Sequence, residues 1–187
     1  ATDQEVLGSN PSRRTRKELN ENIFAKISYI FLYYYHCIIN FTYIVFIMRK
    51  FTQISTKPGF LKNNGGLLFR KIKIDKFEFK TKIKKIHLNR AKITHGGYIC
   101  AIIDAGAGTA AHKCSNGKPC VTISLDIKFI CPTRLNDEIT GLVTIDKKTK
   151  SLIFLSCILK SKNKIISSSS GIWKILDYKV PGAGFGG

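Results

Sequence analysis

One segment restricts the fold more than any other: the almost uninterrupted apolar run that follows a Gly-Gly pair, from Gly96 to Lys113. Its residues are apolar around nearly the whole circumference of a helix, apart from one acid, Asp104. A helix that is apolar on all sides must be enclosed by other elements. Its many Ala and Gly residues allow a curved sheet or another helix to approach closely. The segment therefore predicts one central helix wrapped by a sheet.

Alternating residues on both sides of this helix predict the sheet. Between Arg70 and Ile83 the apolar side chains recur at every second residue, with one slip at Asp75-Lys76 that predicts a bend or bulge within one strand. The connections between the later strands are short, which favours antiparallel neighbours in a four-strand meander. The predicted class is α+β. The four later strands are predicted at Val121 to Phe129, Glu138 to Asp146, Leu152 to Lys160 and Ile165 to Leu176.

Composition excludes several classes of protein. The chain has 187 residues, 44% of them hydrophobic, which suits one folded domain with a real core. Its formal net charge of +19 would suit nucleic acid or an anionic membrane surface. However, 24 Lys stand against 7 Arg in a sequence crowded with Ile, Asn, Phe and Tyr, which indicates A/T-rich coding. The sequence also lacks the aromatic and zinc-finger signatures of nucleic-acid-binding proteins, so we expect no nucleic-acid partner.

The six cysteines predict free thiols. They show neither a CxxC pair nor the spacing of a zinc site. Cys100 lies in the helical pattern and Cys157 in a strand pattern, as small buried hydrophobic residues often do. We therefore expect a reduced, cytoplasmic protein without a bound metal.

The first 47 residues differ in composition from the rest and form a doubtful extension. An uncharged stretch of 22 residues, Ile27 to Met48, has the length of a membrane span, although His36 and Asn40 are polar. A second explanation is translation of upstream DNA, with Met48 as the natural start. In its favour, residues 8–11 read Gly-Ser-Asn-Pro, which one frame of the T-arm sequence of transfer-RNA genes encodes. A structured extension is the third explanation.

These boundaries predict a domain over residues 48–178 and a flexible Gly-rich tail over residues 179–187. The tail contains a GxGxxG pattern at Gly182, Gly184 and Gly187. We expect no helix after this pattern, and therefore no element on which it could bind the phosphates of a dinucleotide.

The residues around the helix start form a recognisable pattern, and the functional candidates come from it. The pattern resembles the signature of hotdog-fold acyl-CoA thioesterases, specifically the PaaI-like (phenylacetate-pathway) branch, over about residues 66–176. One departure is Lys92, where many relatives have Gly. The pattern reads His87-x-Asn89-x5-His95-Gly96-Gly97-x6-Asp104 and continues through Thr122 to Phe129-x-x-Pro132.

The resemblance implies an α+β hotdog fold, in which an antiparallel sheet wraps one central helix. It also implies hydrolysis of an acyl-CoA or aryl-acetyl-CoA to the free acid and coenzyme A. No cofactor is implied, because coenzyme A belongs to the substrate. Relatives are commonly homodimers or dimers of dimers.

Helix geometry gives an independent reason for a dimer. His95 and Asp104 lie nine residues apart, which is about 13.5 Å of rise and half a turn out of phase. They cannot meet on one substrate atom within one chain. If two helices pack antiparallel about a two-fold axis, Asp104 of one protomer faces the Gly96-Gly97 end of its partner.

Thioester hydrolysis suggests a role for each catalytic candidate. The N–H groups of Gly96 and Gly97, at the helix N-terminus, would stabilise the oxyanion. Asp104 would activate a water molecule as general base or attack the thioester directly. Asn89 would orient the water or the carbonyl, and Thr122 would hold the carboxylate or the water.

The remaining candidates concern binding. His95 would shape the glycine turn and contact substrate, rather than transfer protons. Arg90, Lys128 and Arg134 are candidates for the phosphates of coenzyme A, and Tyr98 for the mouth of the pocket.

Three alternative functions stay open. A hotdog-fold protein could bind acyl-CoA without cleaving it, and an enzyme could be tethered to a membrane by residues 27–48. A hydratase on the same fold is disfavoured, because its Asp-x4-His pattern would need a histidine where Thr109 stands.

Overall fold

The computed structural model of the chain describes residues 26–40, 42 and 50–177. The chain divides into two compact units, residues 1–47 and 48–187. In the first unit, residues 26–40 and 42 are helical (α1). The rest of the predicted span and the predicted tail lie outside the described residues. Among the described residues, no helix combines the length and the hydropathy that a membrane crossing requires.

The second unit is built from one long helix and an antiparallel sheet in the order β1-β2-β3-β5-β6-β7-β4. Its elements are β1 (Thr52–Ile54), α2 (Phe60–Asn63), β2 (Leu67–Lys73), β3 (Lys76–Lys82), a one-turn 3-10 helix (Lys85–His87), α3 (Gly96–Cys114), β4 (Cys120–Phe129), β5 (Glu138–Lys148), β6 (Leu152–Ser161) and β7 (Lys164–Ile175).

Helix α3 begins and ends where the sequence predicts. It ends at Cys114, shortly before Asn116 and Gly117 adopt positive φ angles of 59° and 81°, which an α-helix cannot continue. The sheet covers only one side of it. On the other side Asp104 is exposed, and Ala105 and Gly108 are half-buried. The side chains that face the sheet are Tyr98, Ile99, Ile102, Ile103, Ala107, Ala110 and Ala111.

The single bent strand predicted between Arg70 and Ile83 is wrong: the segment is a hairpin of β2 and β3. Residues 74 and 75 form a two-residue turn between the strands. Apolar residues alternate on both strands. A turn between two strands and a bulge within one strand therefore give the same sequence pattern, a period of two with one slip. The structure also contains an irregularity of register, between Lys71 and Lys73 on β2.

The predicted four-strand meander is correct only for β5, β6 and β7. The first of the four predicted strands, β4, pairs with β7 and forms the edge of the sheet, while β5 pairs with β3. The eight residues between Phe129 and Glu138 therefore carry the chain from one part of the sheet to another. A connection of eight residues can join neighbouring strands or strands in different parts of the sheet. The sequence pattern alone therefore did not exclude the predicted meander.

The close approach of α3 to the sheet depends on one aromatic ring between two glycines. Phe79 on β3 is fully buried, with 0% of its surface exposed. Gly106 on α3 and Gly141 on β5 both face its ring, and a Cβ atom added at either position would overlap ring atoms. The two glycines are required because Phe79 already occupies the volume that their side chains would need.

We expect Gly141→Ala to lower the free energy of unfolding by about 1–3 kcal/mol, because the added methyl group overfills this space. Adding Phe79→Leu should recover part of the loss, since the smaller side chain leaves room for the methyl group. Denaturant unfolding of both single variants and the double variant measures the coupling. Strictly additive effects would show that the two residues do not share this volume.

Candidate active site

The N-terminus of α3 is organised by His95, which occupies the N-cap position. Nδ1 of its ring accepts a hydrogen bond from the Gly97 N–H at 2.9 Å. Its carbonyl accepts from the Tyr98 N–H at 3.0 Å, and its own N–H donates to the His87 carbonyl at 2.8 Å. The side chain therefore shapes the glycine turn, and it does so with Nδ1 unprotonated.

Only one of the two glycine N–H groups is available to a substrate. The expectation that both N–H groups would stabilise an oxyanion is wrong for Gly97, because the His95 ring accepts its N–H. Among the described residues, no group accepts a hydrogen bond from the Gly96 N–H. A free N–H at the start of a long helix is a suitable donor for an oxyanion that develops during reaction.

Gly96 opens onto a cavity of about 400 Å³, which we name the amide cavity. Its walls are mostly apolar, with Ile99 from α3 and Phe129 and Pro132 from the segment around the end of β4. Asn89 also lines it. None of the described residues that line this cavity carries a charge.

Asn89 closes a tight loop beside the amide cavity. Its Oδ1 accepts from the Ile93 N–H at 3.3 Å, and its N–H donates to the Ile93 carbonyl at 2.9 Å. Within this loop Lys92 has a φ of 57°, in the left-handed region that costs a side-chain-bearing residue free energy. Glycine adopts this conformation freely, so Lys92 keeps the loop shape that Gly gives the family pattern, at some strain.

Asp104 lies about two turns into α3, on the side that the sheet leaves open. The Thr122 hydroxyl donates to Oδ1 of Asp104 at 2.6 Å. This bond fixes the carboxylate and leaves Oδ2 for other partners. The structure therefore brings together the two residues that were predicted to act as a pair.

A β-bulge makes this contact possible. In a regular strand Thr122 would share a face with Asp126 and Lys128, on the side of the sheet away from α3. The register of β4 against β7 shifts between Thr122 and Ser124, which adds one residue to β4. Thr122 is thereby turned to the helix face, as bulges commonly re-aim a side chain.

The Asp104 carboxylate lines a second cavity, of about 510 Å³, which we name the carboxylate cavity. It shares no lining residue with the amide cavity. Asp104 and Gly96 are eight residues apart on one straight helix, which separates them by about 12 Å. One chain therefore holds a carboxylate and an amide donor that cannot act on the same atom.

Tyr98 does not line a substrate pocket, contrary to its predicted role. The side chain is only 6% exposed, and its ring stacks on His87 with 3.7 Å between ring centroids. Its hydroxyl forms a hydrogen bond with Thr81 at 3.0 Å. Tyr98 lies in the first turn of α3 and its side chain points into the core. Its contacts with His87 and Thr81 therefore stabilise the start of the helix.

The three cationic candidates differ in position. Lys128 forms an ion pair with Asp126 at 2.5 Å, on the face of β4 opposite the one that carries Phe129, so it is directed away from the amide cavity. Arg90 and Arg134 are exposed, and each directly follows a residue that lines the amide cavity. These two arginines are therefore the candidates that the structure places near the site.

His87 is part of the motif, but no role was predicted for it. The side chain is 2% exposed, its Nδ1 accepts from the Lys84 N–H at 3.1 Å, and its Nε2 donates to the Asn64 carbonyl at 3.0 Å. Burial lowers the pKa of His87; the bond to Asn64 opposes this, and the Lys84 charge adds to it. Neutral His87 thus ties the start of α3 to the segment after α2.

We expect His87 to make the protein less stable in acid. Because its pKa is lower in the folded than in the unfolded state, its contribution to stability is complete above about pH 6.5 and decreases as the pH falls through the folded-state value. Urea unfolding at a series of pH values measures this loss, and His87→Gln, which does not titrate, should flatten it. An unchanged pH dependence in the variant would assign the loss to other groups.

Part of the chain is similar to known thioesterases. Residues 91–166 match the family model of the thioesterase superfamily. Acyl-coenzyme A thioesterase 13 of Mus musculus is 27% identical over 116 residues, which cover 62% of this chain and 71% of the mouse protein.

Two solved structures confirm the α+β hotdog fold. Zebra fish thioesterase superfamily member 2 superposes with a TM-score of 0.60 at 20% identity, covering 65% of this chain and 90% of that chain. The E. coli PaaI protein from the phenylacetic acid degradation operon superposes with a TM-score of 0.52 at 17% identity, covering 54% of this chain and 72% of that chain.

Proposed function

We propose that the chain is an acyl-CoA thioesterase, which hydrolyses an acyl- or aryl-acetyl-CoA to the free acid and coenzyme A. The observation that carries this proposal is the division of a hydrolytic site between two cavities. One cavity holds a carboxylate fixed by Thr122, and the other holds the free N–H of Gly96. The match to the thioesterase superfamily model and the similarity to an acyl-coenzyme A thioesterase support the same reaction.

The proposed site is complete only in a homodimer. Strand β4 is a sheet edge, and its side chains Val121, Ile123 and Phe129 are 42%, 56% and 59% exposed. An apolar edge strand with unpaired backbone groups favours association with another chain. The open side of α3, which carries Asp104, adjoins this strand through Thr122. A two-fold axis near this edge covers both surfaces and sets Asp104 of one protomer against Gly96 of its partner.

The proposed reaction uses water and the groups of two protomers. The thioester carbonyl lies at the Gly96 N–H of one protomer, with the side chain of Asn89 beside it. Oδ2 of Asp104 from the other protomer removes a proton from a water molecule, which attacks the carbonyl carbon. The N–H of Gly96 stabilises the resulting oxyanion, which collapses and expels the coenzyme A thiolate. This chemistry needs no metal or cofactor. Direct attack by Asp104 is the alternative that the sequence leaves open.

We expect Asp104→Asn to lower kcat by about 10²–10⁴-fold, the usual contribution of a general base. Asn keeps the size of the side chain and can still accept from Thr122, so folding should be unaffected. Release of free thiol from a panel of acyl-CoAs measures the effect. Asp126→Asn, on the other face of β4, serves as the control and should retain activity. A protein that binds acyl-CoA with no turnover, or an Asp104→Asn variant at full rate, would contradict the proposal.

The shared site is tested by removing the amide donor without disturbing the helix. Gly96 is the first residue of α3, where proline is well tolerated. Gly96→Pro deletes only the N–H and should lower kcat by about 10²–10³-fold. Gly96→Ala keeps the N–H and places its Cβ at 3.6 Å from the Phe129 ring, an ordinary contact, so it is the matched control.

Mixing the two inactive proteins then distinguishes a shared site from a site within one chain. When Asp104→Asn and Gly96→Pro chains are co-expressed, each heterodimer contains one intact site. Random pairing should restore about a quarter of the wild-type activity. No recovery, despite heterodimers seen by native mass spectrometry, would show that the two groups do not act across the interface.

A further inference from the structure

The carboxylate cavity continues well beyond Asp104. Gly108 and His112 line it on the same face of α3, at successive four-residue steps of about 6 Å. The opposite wall comes from β1 and α2, including Leu61. The cavity is therefore an elongated space of about 510 Å³, with Asp104 towards one end and the C-terminal turns of α3 towards the other.

A hydrogen-bond donor without a protein acceptor lies in the wall of this cavity. Trp173 is 1% exposed and stands opposite Thr122 in the pairing of β7 with β4. Its indole Nε1 lies beside Gly108, 3.4 Å from the position that a Cβ atom would take there. Among the described residues, nothing accepts from this N–H. The indole N–H opens onto the cavity, so it can donate a hydrogen bond to an oxygen atom of a bound ligand.

Apart from Asp104, the charged side chains around the cavity are all positive. Lys57 and Lys62, from the β1–α2 wall, and Lys113, at the end of α3, are exposed at its rim. Within residues 50–177, none of the three forms an ion pair. Asp104 is the sole carboxylate among the described lining residues. The part of the cavity remote from Asp104 is thus suited to an anionic group.

The two parts of an acyl-CoA substrate, coenzyme A and the acyl group, require different surroundings. Coenzyme A carries a nucleotide and several phosphates that must reach solvent, and Arg90 and Arg134 are exposed beside the amide cavity. The acyl group is smaller, and the carboxylate cavity is backed by the buried side chains of Phe69, Cys120 and Trp173. Because the amide cavity is also mostly apolar, the position of the two arginines is what assigns coenzyme A to that side and leaves the carboxylate cavity to the acyl group.

We propose that this cavity selects acyl groups that end in a carboxylate, so that the substrate class is an ω-carboxyacyl-CoA, the monothioester of a dicarboxylic acid. Trp173 donates to an oxygen of the acyl group, and the three lysines attract its terminal carboxylate. The inference rests on the proposed function and goes beyond it, since a neutral acyl-CoA would satisfy the catalytic groups equally well.

The test compares kcat/KM for pairs of thioesters of equal length: hexanoyl-CoA with adipoyl-CoA, and decanoyl-CoA with sebacoyl-CoA. We expect a preference of about tenfold for the ω-carboxy member of at least one pair at low salt, the scale of a few exposed charge pairs acting together. Raising the ionic strength should reduce the preference.

A triple variant, Lys57→Gln with Lys62→Gln and Lys113→Gln, should bring the ratio within each pair close to one. All three positions are exposed, so the variant is expected to fold. The matched control replaces Lys73, Lys76 and Lys150, which are outside the cavity, and should keep the ratio. Trp173→Phe should lower the ratio as well, because it removes the donor but keeps an aromatic ring.

The outcomes separate the inference from the function on which it rests. Hydrolysis of both members at equal rates, or a preference that the triple variant keeps, would overturn the inference and leave the thioesterase proposal intact. If no thioester is cleaved, the proposed function fails. Calorimetric binding of the same pairs then decides the inference, with tighter binding of the ω-carboxy member supporting it and equal binding overturning it.

Discussion

Helix α3 imposes the constraint on which the rest of the molecule depends. It carries an amide donor at its first residue, Gly96, and a carboxylate about two turns later, at Asp104. A helix does not bend enough to bring these groups together, so their separation of about 12 Å is fixed. If both act on one thioester, the second group must come from another chain. The same rigidity would keep each group in place during the proposed reaction.

The sheet is arranged so that this helix is covered on one side only. Phe79, between Gly106 and Gly141, lets α3 approach the sheet closely and buries one face of the helix. The opposite face, with Asp104, stays open beside the edge strand β4. An open helix face and an apolar edge are costly in an isolated chain but suitable in an interface. The features that leave the single chain incomplete are therefore those that the proposed dimer uses.

Around this helix, the candidate functional groups are oriented by local features, namely a helix cap, a β-bulge and a buried histidine. His95 caps the helix and accepts the Gly97 N–H, so that Gly96 alone offers its N–H. The bulge in β4 turns Thr122 towards Asp104. His87 stacks on Tyr98 and connects the helix start to Asn64, the residue that follows α2. Each of these contacts restricts a group that would otherwise sample several orientations, which is the condition for preorganised catalysis.

The sequence by itself determined α3, the strands after it and the residues of the motif, because local periodicity and spacing along a helix need no knowledge of distant contacts. It also determined that His95 and Asp104 could not act together in one chain. Only the tertiary structure decided that Thr122 faces Asp104, that Tyr98 is buried and that Trp173 lines the cavity. The strand order was decided there too, with β4 at the edge and the segment before α3 folded into a hairpin. These outcomes depend on pairing between residues far apart in the chain, where a one-residue shift of register reverses every side chain.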